Sequence, residues 1–299
     1  MKPINFTKFI SLYFSLSAVV LGAGVLSLVF WGLRPSVDFV GGSLVEVRIE
    51  PKEDADVSES RIREVLSSIE VDASTIQSSG EKTWTVRTKS QEEDLTKKLT
   101  VVLSEQIGTT ELVRFESVGP TLGRELLKKT LVGIVLSAGS ILLYVAWRFK
   151  GGKYGVCAIL AMLHDSLVVI GAFSLLGHFY GIEVDTLFVT ALLTILSFSV
   201  HDTIVVYDRI RENLRNAMTD NFETIMNRSV TETMRRSINN SLTILFMLVA
   251  LTVWGGTTVR PFALALLVGT ITGTYSSPFV AVPLLVVWDR ITARRRKKK

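Results

Sequence analysis

Residues 10–31 read ISLYFSLSAVVLGAGVLSLVFW, an apolar run without a single charge. A helix rises 1.5 Å per residue, so about 20 such residues cross the ~30 Å hydrocarbon core of a bilayer. Runs of the same kind recur at 131–147, 155–179, 186–207, 238–254 and 261–288. The fifth is short, and the sixth is long enough to tilt or to kink at Pro278 or Pro283. Lys2 and Lys8 precede the first run, so a secretory signal has to be weighed. The run exceeds the roughly 7–15 residues of a signal core and no small-x-small cleavage site follows, so an uncleaved anchor is expected.

The rest of the composition agrees. The 299-residue chain is 48% hydrophobic, with mean hydropathy +0.39, which places it in the membrane class. Its net charge of +5 is not laid out as a nucleic-acid-binding face. Lys and Arg gather at the ends of apolar runs: Lys2 and Lys8; Arg148, Lys150 and Lys153; Arg209, Arg211, Arg215, Arg228, Arg235 and Arg236; Arg290 and the tail 294–299. If every run spans, all of these fall on one side, whereas loop 178–185 has no Lys or Arg and loop 255–260 has one. The positive-inside rule then puts both termini in the cytoplasm. The basic tail at 290–299 reads as a stop signal touching anionic lipid. The lone cysteine, Cys157, lies in an apolar run and reads as a small buried hydrophobe.

Residues 35–128 are too polar to span and carry their own pattern. Positions 43–50 alternate, with Val45, Val47 and Ile49 on one face of a strand. Positions 58–69 place Ile62, Val65, Leu66 and Ile69 at helical spacing. A weak strand at 75–78, a Gly80-Glu81 turn and a strand at 82–88 with Trp84 and Val86 follow. Ser90-Gln91-Glu92-Glu93 is a capping box for a helix with Leu95, Leu99, Val102 and Leu103 on one stripe, ended by Gly108. Positions 110–117 form a last strand with Val113 and Phe115 inward. The order βαββαβ is that of a ferredoxin-like split unit. The expected fold is therefore an α-helical polytopic membrane protein with six transmembrane helices, and one α+β ferredoxin-like extracytoplasmic domain between helices 1 and 2. In residue terms this is 1–34, the domain 35–128, helices 2–6 over 129–289, and the tail.

Several polar residues stand inside the apolar runs. Asp165 lies near the middle of the third, where a carboxylate costs roughly 2.5–3.5 kcal/mol on insertion scales. Intramembrane acids are usually functional, and such a group suits alternation between protonated and ionised states during ion flow. Its plainer role is a hydrogen bond to a neighbouring helix. His164 sits about 100° away around the helix, so the two are not expected to share a face; it is a relay or a packing histidine. Thr190, Thr194, Ser197 and His201 form one polar stripe along the fourth run, which can hold a file of water or bond other helices. Asp202 and Arg209 lie two turns apart on one face. Arg209 stays charged, so it can hold Asp202 or Asp165 ionised, or serve as a snorkelling anchor; Asp202, nearer the cytoplasmic end than Asp165, has an exit-side role in ion coupling or a structural pair with Arg209, the pair being preferred. Gly269 and Gly273, with Ser277 continuing the ridge, form a small-residue packing face within the chain or against a partner. No nucleophile–base pair or metal-ligand spacing is present, so no enzyme, metal or cofactor is expected.

A resemblance joins these features. Asp38-Phe39-Val40-Gly41-Gly42 is similar to a D-F-x-G-G signature, and Val118-Gly119-Pro120 to a V-G-P motif. His164-Asp165, the block Asp202-Thr203-Ile204-Val205-Val206-Tyr207-Asp208-Arg209-Ile210-Arg211-Glu212-Asn213, Arg236-Ser237-Ile238-Asn239-Asn240-Ser241 and Gly273-Thr274-Tyr275-Ser276-Ser277 follow in order. Together they resemble the SecF family of bacterial protein-export membrane proteins. His201 and Pro261 stand where that family usually has Asn and Gly. The resemblance implies a fold akin to the resistance-nodulation-division transporters and a place in the bacterial inner membrane. It implies pairing with SecD, association with the SecYEG translocon, with YajC and YidC as further candidates, and a translocating unfolded polypeptide as substrate. It also implies export driven by the proton-motive force, with H⁺ as the coupling ion and Na⁺ the alternative. A passive scaffold and a small-molecule proton antiporter are the competing functions. The D-F-V-G-G motif is a hinge after helix 1 on the family reading, and a strand-entry turn needing glycine on the local one.

Overall fold

A computed structural model of the chain describes residues 4–52, 57–71, 73–80, 82–88, 94–148, 152–216, 221–256 and 258–297. Two units emerge: Pro35–Val132 with Glu183–Thr186, and the remainder, Met1–Arg34, Gly133–Ile182 and Leu187–Lys299.

The smaller unit opens on a short helix, α2 (Val37–Val40), after the long α1 (Ile10–Phe30). Strand β1 (Gly42–Pro51), helix α3 (Glu59–Ser67), strands β2 (Ala73–Gly80) and β3 (Thr83–Thr88), helix α4 (Leu95–Gln106) and strand β4 (Gly108–Val118) follow. The strands are ordered β2-β3-β1-β4, each neighbouring pair antiparallel. Val45, Val47 and Ile49 of the central strand bury themselves with Ile62, Val65 and Leu66 of α3 and Leu99 and Leu103 of α4. These eight residues, read from the sequence as inward-facing, are core, and Ile69, Trp84 and Val102 pack against it partly buried. Ser58 caps α3 by accepting from Arg61 N at 3.4 Å. The capping box at 90–93 and Glu81 of the expected turn lie outside the described residues.

Strand β4 departs from expectation. Val113 and Phe115 were expected to point inward, yet they are 45% and 39% exposed. The register explains Val113: Glu46 faces Arg114 and the next residue, Val47, faces Leu112, so Val113 is the extra residue of a β-bulge. Phe115 does stand opposite buried Val45, but on an edge strand with no further neighbour in the sheet. Alternation reports which face a residue shares and is silent on whether the sheet ends there.

Among the described residues, six helices are long and apolar enough to cross a membrane, and the chain is a multi-pass membrane protein. They comprise α1 with the 3-10 turn Phe6–Phe9, α5 (Pro120–Arg148), α6 (Gly152–Tyr180), α7 (Thr186–Asn216), α8 (Phe222–Trp254), and a sixth made of α9 (Arg260–Ser276) and α10 (Val282–Lys297). A π-helical turn, Ser277–Ala281, joins the two halves of the sixth helix at Pro278, one of the two expected kink positions. Several helices outrun their apolar stretches: α5 starts at Pro120 and α8 at Phe222, well before residues 131 and 238. Apolar length marks the hydrocarbon crossing, and a helix continues past it while its backbone bonds are satisfied.

Close approaches hold the larger unit together. A methyl built on Gly171 of α6 would lie 2.5 Å from Gly24 Cα of α1. One turn further along each helix, Ser27 Oγ donates to Ser174 Oγ at 2.7 Å. A methyl on Gly269 of α9 would lie 2.3 Å from the Ile195 side chain of α7. The G-x-x-x-G ridge therefore packs inside the chain.

Candidate functional site

Asp165 stands midway along α6 and is 1% exposed. Its Oδ2 accepts from Ser199 Oγ of α7 at 2.5 Å and from Ser276 Oγ of α9 at 2.6 Å. Small residues make this possible: a methyl on Gly273 would already reach 3.8 Å from Oδ2. The other oxygen, Oδ1, lies 3.0 Å from His164 Nδ1. The expectation that His164 and Asp165 point apart is corrected here. Their Cα–Cβ bonds diverge by ~100°, but an imidazole is long enough to swing back onto its neighbour. Nε2 of the same ring is buried without a hydrogen-bond partner among the described residues.

On the same two helices, Thr203 Oγ1 and Ser277 Oγ lie 3.0 Å apart. Thr203 is one helical turn from Ser199 on α7, and Ser277 directly follows Ser276. Both hydroxyls are buried, at 1% and 0% exposure. Adjacent to Thr203, Asp202 is 7% exposed and accepts from Ser237 Oγ of α8. Asp202 lines a cavity of about 410 Å³ together with His201, Arg236, Ser237 and Asn240. Arg236 makes no ion pair among the described residues.

Two sequence-based expectations fail at this site. Arg209 holds neither Asp202 nor Asp165: it pairs with Glu232 at 2.6 Å and Glu212 at 2.7 Å. Two turns of helix are ~10.5 Å of rise, too far for direct contact, and nearer carboxylates take the guanidinium. Asn213 Nδ2 donates to Glu232 as well, at 2.9 Å, and Arg148 reaches Asp208 at 2.5 Å. The second half of the long D-T-I-V-V-Y-D-R-I-R-E-N block is thus an ion-pair network. The polar stripe is the other failure. Thr190, Thr194, Ser197 and His201 are all exposed, and Thr194 Oγ1 spends its proton on Thr190 O at 2.8 Å. The stripe lies on the outer face of α7, so it encloses no water file within this chain.

The motif residues of the smaller unit have a structural role. Asp38 Oδ2 accepts from Thr186 N at 3.1 Å and Thr186 Oγ1 at 2.8 Å, capping the start of α7. Phe39 is buried. Gly41 and Gly42 have φ of 77° and 116°, as a strand-entry turn requires. A methyl on Gly41 would meet Pro120 Cα at 2.7 Å, so the D-F-V-G-G and V-G-P motifs interlock.

Sequence reasoning quoted Thr203, Arg236, Ser237 and Ser276 inside the motifs without a role for them, and missed Ser199 altogether. A signal existed for Ser199: an acid within a span faces inward, and Ser199 precedes Asp202 by one turn on that face. The longer row of hydroxyls drew attention to the wrong side.

Residues 98–291 match the family described as protein export membrane protein SecD/SecF, C-terminal. The chain belongs to the SecF family. It is 41% identical to the protein translocase subunit SecF of Thermobaculum terrenum, over 93% of this chain and 91% of that one. The SecF of Anaerolinea thermophila is 39% identical over 93% and 92%. The crystal structure of SecDF from Thermus thermophilus, described as a translocon-associated membrane protein, superposes with a TM-score of 0.85 at 32% identity. That match covers 96% of this chain and 39% of the SecDF chain. A SecDF structure in a super-membrane-facing form matches at a TM-score of 0.66 and 31% identity.

Proposed function

We propose that this chain is a Sec translocation subunit that, with a SecD partner, draws on the proton-motive force to promote polypeptide export. The observation that carries the reading is Asp165, a carboxylate midway along a spanning helix, almost fully buried and held by hydroxyls from two other helices. A buried acid is costly, and here its partners are groups that can both give and accept a proton. Beyond the Ser199 and Ser276 hydroxyls on Asp165, the paired Thr203 and Ser277 hydroxyls continue toward the Asp202 end of α7, Thr203 one turn from Ser199 and Ser277 next to Ser276, and we read the four as a ladder for a proton. His164, with one ring nitrogen at Asp165 and the other unpartnered among the described residues, suits the far side of that relay. Each charge moved through the potential yields ~2.3 kcal/mol per 100 mV, enough to bias a two-state element.

Supporting the motor reading, the two SecDF structures match this chain at nearly equal identity but at TM-scores of 0.85 and 0.66, so those structures differ in arrangement. We read the β2-β3-β1-β4 unit as ferredoxin-like and extracytoplasmic, because its strand order and connections are those of the split βαβ plan and the basic loops lie at the other helix ends. The outer-face stripe of α7 and the Asp202 cavity beside it suit packing against SecD, since polar side chains bare to lipid are unfavourable. SecYEG is the expected larger assembly, with H⁺ as the coupling ion.

The test is proton flux into proteoliposomes holding the chain and SecD, followed with a pH-sensitive dye. Thr203→Val with Ser277→Ala should cut flux about tenfold or more while both subunits still co-purify. Unchanged flux would remove the ladder from the account.

A further inference from the structure

A larger cavity, about 790 Å³, opens where α1 and α8 begin and beside the middle of α10. Its wall divides by chemistry. Ile10, Phe14 and Val287 supply an apolar side, and Lys8 and Arg290 supply two cations against the single carboxylate of Glu223. Arg290 is engaged with Glu223 at 2.8 Å, but Lys8 makes no ion pair among the described residues. The wall is built rather than incidental. Asn227, 9% exposed, accepts from Thr7 N at 3.0 Å and so fixes the turn carrying Lys8 against α8.

The division follows the depth of a bilayer. Lys8 lies just before the apolar helix, and Phe14 is four residues inside it, about 6 Å deeper than Ile10. A ligand filling the cavity meets the Lys8 cation at one end and hydrocarbon-level side chains at the other. A soluble anion would use only the first half, and a neutral lipid would leave the Lys8 charge unanswered. We propose that this cavity seats one anionic phospholipid of the surrounding bilayer, its phosphate at Lys8 and an acyl chain along Ile10 and Phe14. Basic pockets between spanning helices are suited to such headgroups, and the volume lies in the range of small-molecule sites. The inference rests on the membrane-spanning character of the chain and not on ion coupling.

Native mass spectrometry of the full chain with its SecD counterpart tests it, with phosphatidylglycerol, phosphatidylcholine and inorganic phosphate as probes. Phosphatidylglycerol should be retained at least about fivefold more tightly than phosphatidylcholine, and Lys8→Gln should remove about that factor. Ser11→Trp, which fills the cavity without changing charge, should abolish specific retention; Thr224→Trp fills it from α8 if the first variant fails to fold, as judged by circular dichroism. Equal retention of the two lipids overturns the proposal. So does undiminished phosphatidylglycerol binding in a folded cavity-filling variant, which would assign the lipid to the basic tail. Displacement of the lipid by millimolar inorganic phosphate would leave an anion site only and overturn it too.

Discussion

At the scale of single residues, contact distance decides which positions tolerate change. Gly171 faces backbone: a methyl there would lie 2.5 Å from Gly24 Cα, and a backbone atom cannot rotate away. Gly171→Ala gains helix propensity of up to about 1 kcal/mol but overpacks the α1–α6 contact, typically at about 1–3 kcal/mol. The net expectation is a lower thermal midpoint in detergent, whereas Gly22→Ala, with open space around it, should hold or raise the midpoint. A differential melt of the two variants checks this. Asp165 was legible in the sequence because an acid is conspicuous among apolar residues. Its partners were not, because serine is tolerated on any face of a membrane helix and carries no sign of which face is buried. Arg209 was misassigned for a related reason. Spacing along one helix shows a shared face, but the carboxylate that holds Arg209 most closely, Glu232, comes from another helix.

At the scale of elements, ends are harder to read than middles. The interior apolar positions of β1, α3 and α4 follow directly from periodicity and form the core of the smaller unit. What the pattern could not supply was the bulge at Val113 and the exposed edge of β4, which depend on strand pairing. Nor could it show that Asp38 caps a helix 148 positions away in sequence. The cap makes a specific expectation. Asp38→Ala removes the bond from Thr186 N to Asp38 Oδ2 and should cost about 0.5–2 kcal/mol, while Asp38→Asn retains an oxygen there and should cost less. Hydrogen exchange at the first turn of α7 reads the difference directly. Faster exchange in the alanine variant alone is the expected result; equal rates in all three proteins would show that the motif aspartate is not a cap.

For the molecule as a whole, the positions of charge told more than their number. Basic residues cluster at alternate ends of the six spans, and that regularity gave the expected topology before any contact was known. The assembly was not legible, because a polar stripe looks the same whether it lines an interior path or awaits another subunit. The structure puts Thr194 and Ser197 on the outer face of α7. Thr194→Leu combined with Ser197→Leu should therefore weaken co-purification of SecD without lowering the yield of this chain. Unaltered pairing would assign the stripe to lipid contact instead.

The central claim is that the buried carboxylate of α6 couples an ion gradient to export. Its most direct test is polypeptide export into sealed vesicles, with and without a proton gradient, comparing wild type with Asp165→Asn in the presence of SecD. The account predicts that the gradient stimulates export by the wild type alone, the variant staying at the gradient-free rate while remaining inserted and paired. Equal stimulation of both would contradict it, making Asp165 a structural hydrogen-bond acceptor and this chain a scaffold for coupling carried elsewhere.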